Sequence, residues 1–516
     1  MWLGVPLAAT AQVTAFRQAV AEAAAPDEAL ATFYRARDFE GIWTGDDSGA
    51  RNRRNALLSA FSDASAHGLP ADRYNADRII AQLRGASTPA QQGAMEVMLS
   101  QTFLQYARDV QTGVLTPSKV APLIVREVPL RSRLGTIQSF VQSNPAAFLR
   151  SLPPSSPEYA RLMVEKLKME KMLAQGGYGP DVTAKSLAPG SSGRAVVDLR
   201  NRLIQMGHLE RTATRSYDAS IQQAVQRFQQ AMGLSVDGTA GEATMREINV
   251  PLERRMQSVI VAMERERWLN RPRGQRHIWV NLTDFTAAII DNDRVTFSTR
   301  SVIGADEYDR QSPEFSDVME YMVVNPSWYV PRSIVVKEYL PQLQRNAGAV
   351  SHIDVTDRSG NIVPRGSVNA SAYNERTFPY AMRQGPSAQN ALGLVKFMFP
   401  NKYNIYLHDT PSKNLFSRES RAFSHGCIRL NDPFDFAYAL LSRQESNPEA
   451  FFQSRLRPGK ESRVTLKDPV PVHIVYRTAF TNVTGSLQFR RDVYGRDGAI
   501  WDALSQQGVA VRAVQG

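Results

Sequence analysis

The stretch Arg421-Ala422-Phe423-Ser424-His425-Gly426-Cys427-Ile428-Arg429-Leu430 holds the single cysteine of a 516-residue chain. Upstream of it runs Tyr403-Asn404-Ile405-Tyr406-Leu407-His408-Asp409-Thr410, whose alternating pattern predicts a strand ending at His408. Downstream, Asn431-Asp432-Pro433 predicts a helix start, with proline in the first turn and the helix running to Leu441. The cysteine therefore sits on a glycine-containing turn between a strand and a helix.

This grouping suits acyl transfer. The thiolate is the nucleophile, and a free cysteine ionises only near pH 8.5, so a neighbouring base is needed. Two histidines flank Cys427: His408 lies nineteen residues upstream and His425 two. A residue two positions away on an extended turn is poorly placed to line up with Sγ. His408, from a separate strand, can face Cys427 across a groove. His408 is therefore assigned as base and acid, and His425 as a structural or substrate-orienting residue. Gly426 lets the backbone turn so that amides near Cys427 can point at a developing oxyanion. Ser424, His425 and Tyr406 complete this support group. Tyr406 is two residues before His408 on the same strand face, where it either polarises the carbonyl or packs. His408, Asp409, His425 and Cys427 are also ligand-type residues, but neither HExxH nor paired-cysteine spacing is present, so no metal and no cofactor is assigned.

Composition sets the outer bounds. Hydrophobic residues make up 43% and charged residues 22%, as in ordinary globular proteins. No apolar run reaches the roughly 18 residues of a spanning helix. Net charge is 61 − 50 = +11, which points to an anionic partner without choosing one. Nucleic-acid binding needs a clustered basic stripe or an aromatic platform, and neither is seen. One cysteine excludes an internal disulfide. Ala9-Thr10-Ala11 is a small-x-small pattern of the kind cleaved after a secretory signal, so residues 1–12 read as a signal remnant and the chain as exported.

Several regions follow from the periodicity. Residues 13–186 are helical, with segments such as Ala56–Ala66 and Ala94–Val110, and with Tyr34, Phe39 and Trp43 as core aromatics. Residues 187–250 form a three-helix unit. Val196, Leu199, Leu203 and Met206, then Ile221, Val225, Phe228 and Met232, fall at helical spacing. Residues 251–275 read as a connecting helix and linker. From 276 to 476 the chain turns β-rich, as in His277–Leu282, Phe285–Ile290 and Met319–Val324. Residues 331–392 interrupt those strands as a capping subdomain or lid. Residues 477–516 form a C-terminal extension.

Two resemblances sharpen this reading. Leu199, Leu203 and Gly207, Val225-x-x-Phe228-Gln229, and Gly233-Leu234-x-x-Asp237-Gly238-x-x-Gly241-x-x-Thr244 resemble the peptidoglycan-binding domain type 1. Ser424-His425-Gly426-Cys427 with His408 upstream resembles the L,D-transpeptidases, whose catalytic domain is of the YkuD type. Asn325-Pro326-Ser327-Trp328-Tyr329-Val330-Pro331, Asn390-Ala391-Leu392-Gly393-x-Val395-Lys396-Phe397 and Tyr406-Leu407-His408-Asp409-Thr410-Pro411 are similar to the large Gram-negative branch. One departure is Arg429, where many members carry asparagine; it either binds a substrate carboxylate as a fork or braces the loop through a salt bridge.

The resemblance implies a multidomain α+β protein: helical scaffold, three-helix peptidoglycan-binding domain, and mainly β catalytic domain with a capping insert. It implies 3→3 cross-linking through a Cys427 thioester, with release of D-Ala, in the periplasm and without cofactor. L,D-carboxypeptidase or lipoprotein-anchoring or detaching activity is the alternative on the same fold. Implied partners are peptidoglycan stem peptides and glycan, carbapenems as covalent inhibitors, and cell-wall synthesis proteins. Arg429, Trp328, Tyr329 and Asn390 are the candidate substrate contacts, though Trp328 and Tyr329 serve equally well as packing.

Overall fold

The computed structural model describes residues 7–513. It divides into two compact units, Met1–Pro272 with Arg477–Gly516, and Arg273–Tyr476. Residues 1–6 of the expected signal remnant lie outside the described residues, and a helix runs over Leu7–Ala24.

The first unit is built from helices with strong local start signals. Pro89–Thr112 opens on a capping box in which Thr88 and Gln91 satisfy each other's backbone amides. Its Glu96 is fully buried and accepts from the amides of Ile42, Trp43 and Thr44. That carboxylate fixes the turn that inserts Trp43 into a core with Phe103 and Phe140.

Helices Arg194–Gln205, Ala219–Met232 and Glu242–Ile248 form the three-helix module, as the periodicity predicts. Its signature residues act on one another. Gln229 donates to Asp237 and to Thr244 Oγ1, and accepts from the Gly238 amide. The Gly-Asp-Gly loop is thus held shut by the module's own glutamine.

The stretch read as a connector is instead a core element. In the helix Leu252–Trp268, Val259, Ile260 and Met263 are buried, and so are Glu264, Arg265, Glu266 and Arg267. The charges are accommodated because they are paired. Arg267 meets Glu264 at 2.6 Å, and Arg265 meets Asp497 at 2.7 Å. Asp497 belongs to the C-terminal segment, which does not trail away. Its hairpin Ala479–Thr481 with Leu487–Phe489 and its helix Arg496–Gln506 place Ala479, Phe489, Ile500 and Leu504 in the same core as Met256 and Val259.

In the second unit the strands are β1 (Arg276–Asn281), β2 (Thr286–Asp291), β3 (Arg294–Gly304), β4 (Phe315–Val324), β5 (Trp328–Tyr329), β6 (Asp354–Thr356), β7 (Ala381–Gln384), β8 (Val395–Met398), β9 (Leu407–His408), β10 (Ala422–Ser424), β11 (Ile428–Leu430) and β12 (Ser462–Val475). Nine of them form one sheet in the order β10-β3-β11-β9-β8-β4-β12-β1-β2, and a β2–β3 pairing closes it on itself. The insert carries its own three-stranded sheet, β5-β7-β6, and a helical stretch over residues 332–345 with a π-turn at Val335–Tyr339. It has a separate apolar core of Trp328, Ile334, Leu340, Ile353, Phe378 and Leu392. Helix Pro433–Leu441 starts at Asp432, but that side chain accepts from Thr299 Oγ1 on β3 at 2.7 Å rather than capping the helix.

Candidate active site

Strand register assembles the site. β9 pairs in parallel with β11, setting His408 beside Arg429, and antiparallel with β8, setting Lys396 beside His408. Side chains of paired residues project to the same face, so Lys396, His408 and Arg429 form one row. Two residues back lie Tyr406 and Cys427, where the Ile428 amide donates to the Tyr406 carbonyl at 3.1 Å and continues the ladder. His408 and Cys427 are diagonal neighbours. Strand spacing and rise put their Cα atoms about 8 Å apart, within reach of an imidazole and a thiol.

His408 is buried, and its Nδ1 meets the Asp409 carbonyl oxygen. A carbonyl only accepts, so Nδ1 carries the proton and Nε2 is the ring's basic nitrogen; the Leu392 backbone also hydrogen-bonds this ring. Burial first, then the Arg429 charge, with a smaller contribution from Lys396, push the imidazole down to about 3. The Asp409 side chain holds the neighbouring turn, accepting from the Leu394 amide at 2.9 Å and pairing with Lys413 at 2.8 Å. Gly393 at φ +61 is required there, because a Cβ would sit 2.3 Å from that carboxyl group.

Cys427 is a free, half-buried thiol whose Sγ lies 3.5 Å from the Asn404 carbonyl oxygen. Burial pushes it up to about 11, opposed by hydrogen bonds from the Tyr406 backbone and side chain and by Arg429 and Lys396. The resting pair is therefore neutral thiol and neutral imidazole. Burial and the adjacent sulfur also raise Tyr406 well above the ordinary phenol range, so its hydroxyl stays a donor.

The turn before the cysteine is braced from two sides. Ser424 Oγ donates to the Cys427 carbonyl at 2.6 Å and accepts from the Gly426 amide at 3.1 Å. Ser312 Oγ donates to the Gly426 carbonyl at 2.6 Å. Gly426 sits at φ +107, a conformation that side-chain-bearing residues rarely adopt. Its own amide is taken by Ser424 Oγ, so Gly426 shapes the turn and leaves any oxyanion contact to neighbouring amides. Among the described residues, the amides of His425 and Cys427 have no acceptor.

The remaining sequence candidates separate. His425 Nε2 meets Glu338 of the insert at 2.5 Å. Arg310 pairs with the same carboxylate at 3.2 Å. Arg429 makes no ion pair among the described residues, and its buried Nε has no hydrogen-bond partner, so the salt-bridge alternative is not the one seen. Trp328 is buried in the insert's core, edge-on to Tyr339, and packs rather than lining a groove. Tyr329 is 68% exposed, under the Arg383 guanidinium.

Asn390 is not a substrate contact. It is 0% exposed, and its Nδ2 faces the carbonyls of Pro326, Gln384 and Gly385. It ties the insert to the strands, which is why an asparagine stands there. Lys396 is the residue the sequence did not assign. Its only signal was a cation between the apolar Val395 and Phe397, and its meaning comes from register with β9.

Residues 275–472 match the L,D-transpeptidase catalytic domain, residues 28–165 the Scaffold domain, and residues 192–248 the family described as "Putative peptidoglycan binding domain". The second unit thus belongs to the L,D-transpeptidase catalytic-domain family, joined in this chain to a scaffold and a peptidoglycan-binding domain. A curated relative, "Putative L,D-transpeptidase" of Haemophilus influenzae, is 28% identical over 254 residues, 48% of this chain and 51% of that protein. The chain thus spans about half the length of that relative. Among solved structures, an L,D-transpeptidase from Xylanimonas cellulosilytica is similar at 14% identity, covering 58% of this chain and 100% of its own, with TM-score 0.17. One from Stackebrandtia nassauensis is similar at 14% identity, covering 58% and 97%, with TM-score 0.23.

Proposed function

We propose that this chain is a cysteine-dependent L,D-transpeptidase that makes 3→3 cross-links between peptidoglycan stem peptides. The observation that carries the reading is the buried His408, its Nδ1 held by the Asp409 carbonyl, diagonal to the chain's only thiol.

Cys427 Sγ attacks the carbonyl joining the L-centre of meso-diaminopimelate to terminal D-Ala, and its proton passes to His408 Nε2. The oxyanion meets the Cys427 amide and the Tyr406 hydroxyl. The C–N bond then breaks, His408 returns the proton to the leaving amine, and D-Ala departs. The side-chain amine of a second stem's diaminopimelate attacks the thioester. His408 takes the amine proton, the new amide forms, and the expelled thiolate is reprotonated. The cation pair beside the sulfur favours the thiolate as it forms.

The three-helix module supports association with glycan or stem peptides, and cell-wall synthesis proteins are the proposed suppliers of donor stems. The substrate, the solitary cysteine and Ala9-Thr10-Ala11 together favour work in the periplasm. Carbapenems, as strained acyl donors, should acylate the same sulfur.

Products decide the acceptor. Purified protein with disaccharide-tetrapeptide should yield a dimer retaining one terminal D-Ala, absent with Cys427→Ala. Tripeptide without dimer would instead make the protein an L,D-carboxypeptidase.

A further inference from the structure

Lys396 and Arg429 flank His408 on one row of the sheet, a strand to either side. Their Cα atoms are thus roughly 10 Å apart across the histidine. Both are half-buried, and burial lowers the proton affinity of both. Among the described residues neither makes an ion pair, and the buried Nε of Arg429 has no hydrogen-bond partner. Glu461 is the acid that acts on Lys396, yet its Oε2 accepts from the Ser327 amide at 2.5 Å and forms no ion pair with the lysine. Two half-buried like charges on one row, without an anion between them, repel one another unless a ligand supplies the anion.

The chemistry of the proposed reaction says which anion fits. His408 hands its proton to the leaving amine. In an α-amino acid that nitrogen and the carboxylate share one carbon. A carboxylate there must lie beside His408, where both cations stand. We propose that Lys396 and Arg429 form a clamp for the free carboxylate of the terminal residue that the enzyme releases. The clamp restricts the donor to stems ending at the scissile residue. The acceptor amine of diaminopimelate also shares its carbon with a carboxylate, so the second half-reaction presents the same pair of groups. This inference rests on the transpeptidase reading and adds its specificity-determining residues.

Two donors test it: the disaccharide-tetrapeptide with its free terminal carboxylate, and the same compound with that carboxylate converted to the carboxamide. Acyl-enzyme formation on the full chain is followed by intact mass, and kcat/KM is compared. The wild-type protein should prefer the carboxylate by tenfold to a hundredfold, on the order of one charge-assisted hydrogen bond. Lys396→Met and Arg429→Met should each bring that ratio toward one, chiefly through KM, and Lys396→Arg should restore it. A wild-type protein indifferent to the amide overturns the clamp. So does a Lys396→Met protein that slows both donors equally, because the cation would then serve only the thiolate. If neither donor acylates Cys427, the transpeptidase reading fails, and the clamp fails with it.

Discussion

Alkylation of Cys427 should be slow at neutral pH. Burial holds its thiol at about 11, against an ordinary value of 9.0. Two pH units are about 2.7 kcal/mol and a hundredfold in thiolate fraction. At pH 7 roughly one molecule in ten thousand then carries the thiolate, and iodoacetamide should react about a hundredfold more slowly than with an unperturbed cysteine. His408, pushed down to about 3, does not supply a preformed thiolate–imidazolium pair. The rate should rise about tenfold per pH unit from 7 to 9, with no plateau. Tyr406→Phe removes a hydroxyl that bonds the sulfur and should slow the reaction further, by about tenfold. The assay is intact mass against time, in excess reagent, on the full chain. Rapid alkylation at pH 6 to 7 with a flat profile would mean a resting ion pair and would refute this account of burial.

Other perturbations follow from named contacts. Ser424→Ala leaves the Gly426 amide and the Cys427 carbonyl without their shared partner. It should lower stability by about 1–3 kcal/mol, measured by denaturant midpoint, and turnover should fall about a hundredfold as the turn relaxes. Phe489→Ala should destabilise the helical unit by about 3–5 kcal/mol, because this ring of the C-terminal segment is buried in that core; a wild-type midpoint would mean the segment is an appendage. Burial pushes His67 and His208 down to about 4. Unfolded histidine binds its proton near 6.5, so the stability each contributes is complete above that pH and is lost on the way down to about 4. The rate is about 1.4 kcal/mol per pH unit for each histidine. Chemical denaturation at pH 7 and pH 5 should therefore differ by about 4 kcal/mol from these two groups. An unchanged midpoint would contradict their burial.

What the chain reveals on reading is what depends on neighbours in sequence. Cys427, Gly426 and Ser424 lie within one turn, and His408 ends a strand whose alternation is visible. The helices of the three-helix module show in their own periodicity. Features set by distant partners do not show. Glu264, Arg265, Glu266 and Arg267 fall in a stretch that reads as a connector, and their burial depends on Asp497 and on pairing within the helical core. Asn390 carries the same amide whether it faces a ligand or three backbone carbonyls. Lys396 gains its place from the pairing of three strands that are far apart in sequence. The Gly426 amide looks free until Ser424 Oγ is seen to occupy it.

The central claim is that Cys427 becomes an acyl-enzyme with His408 as its proton carrier. The most direct measurement is intact mass of the full chain, quenched within the first turnover on disaccharide-tetrapeptide, followed by peptide mapping. The account predicts a mass gain equal to the donor less D-Ala, on the peptide containing Cys427. It should be absent in Cys427→Ala and strongly delayed in His408→Ala. Product formation with no adduct on Cys427, or an undiminished rate in His408→Ala, would contradict it.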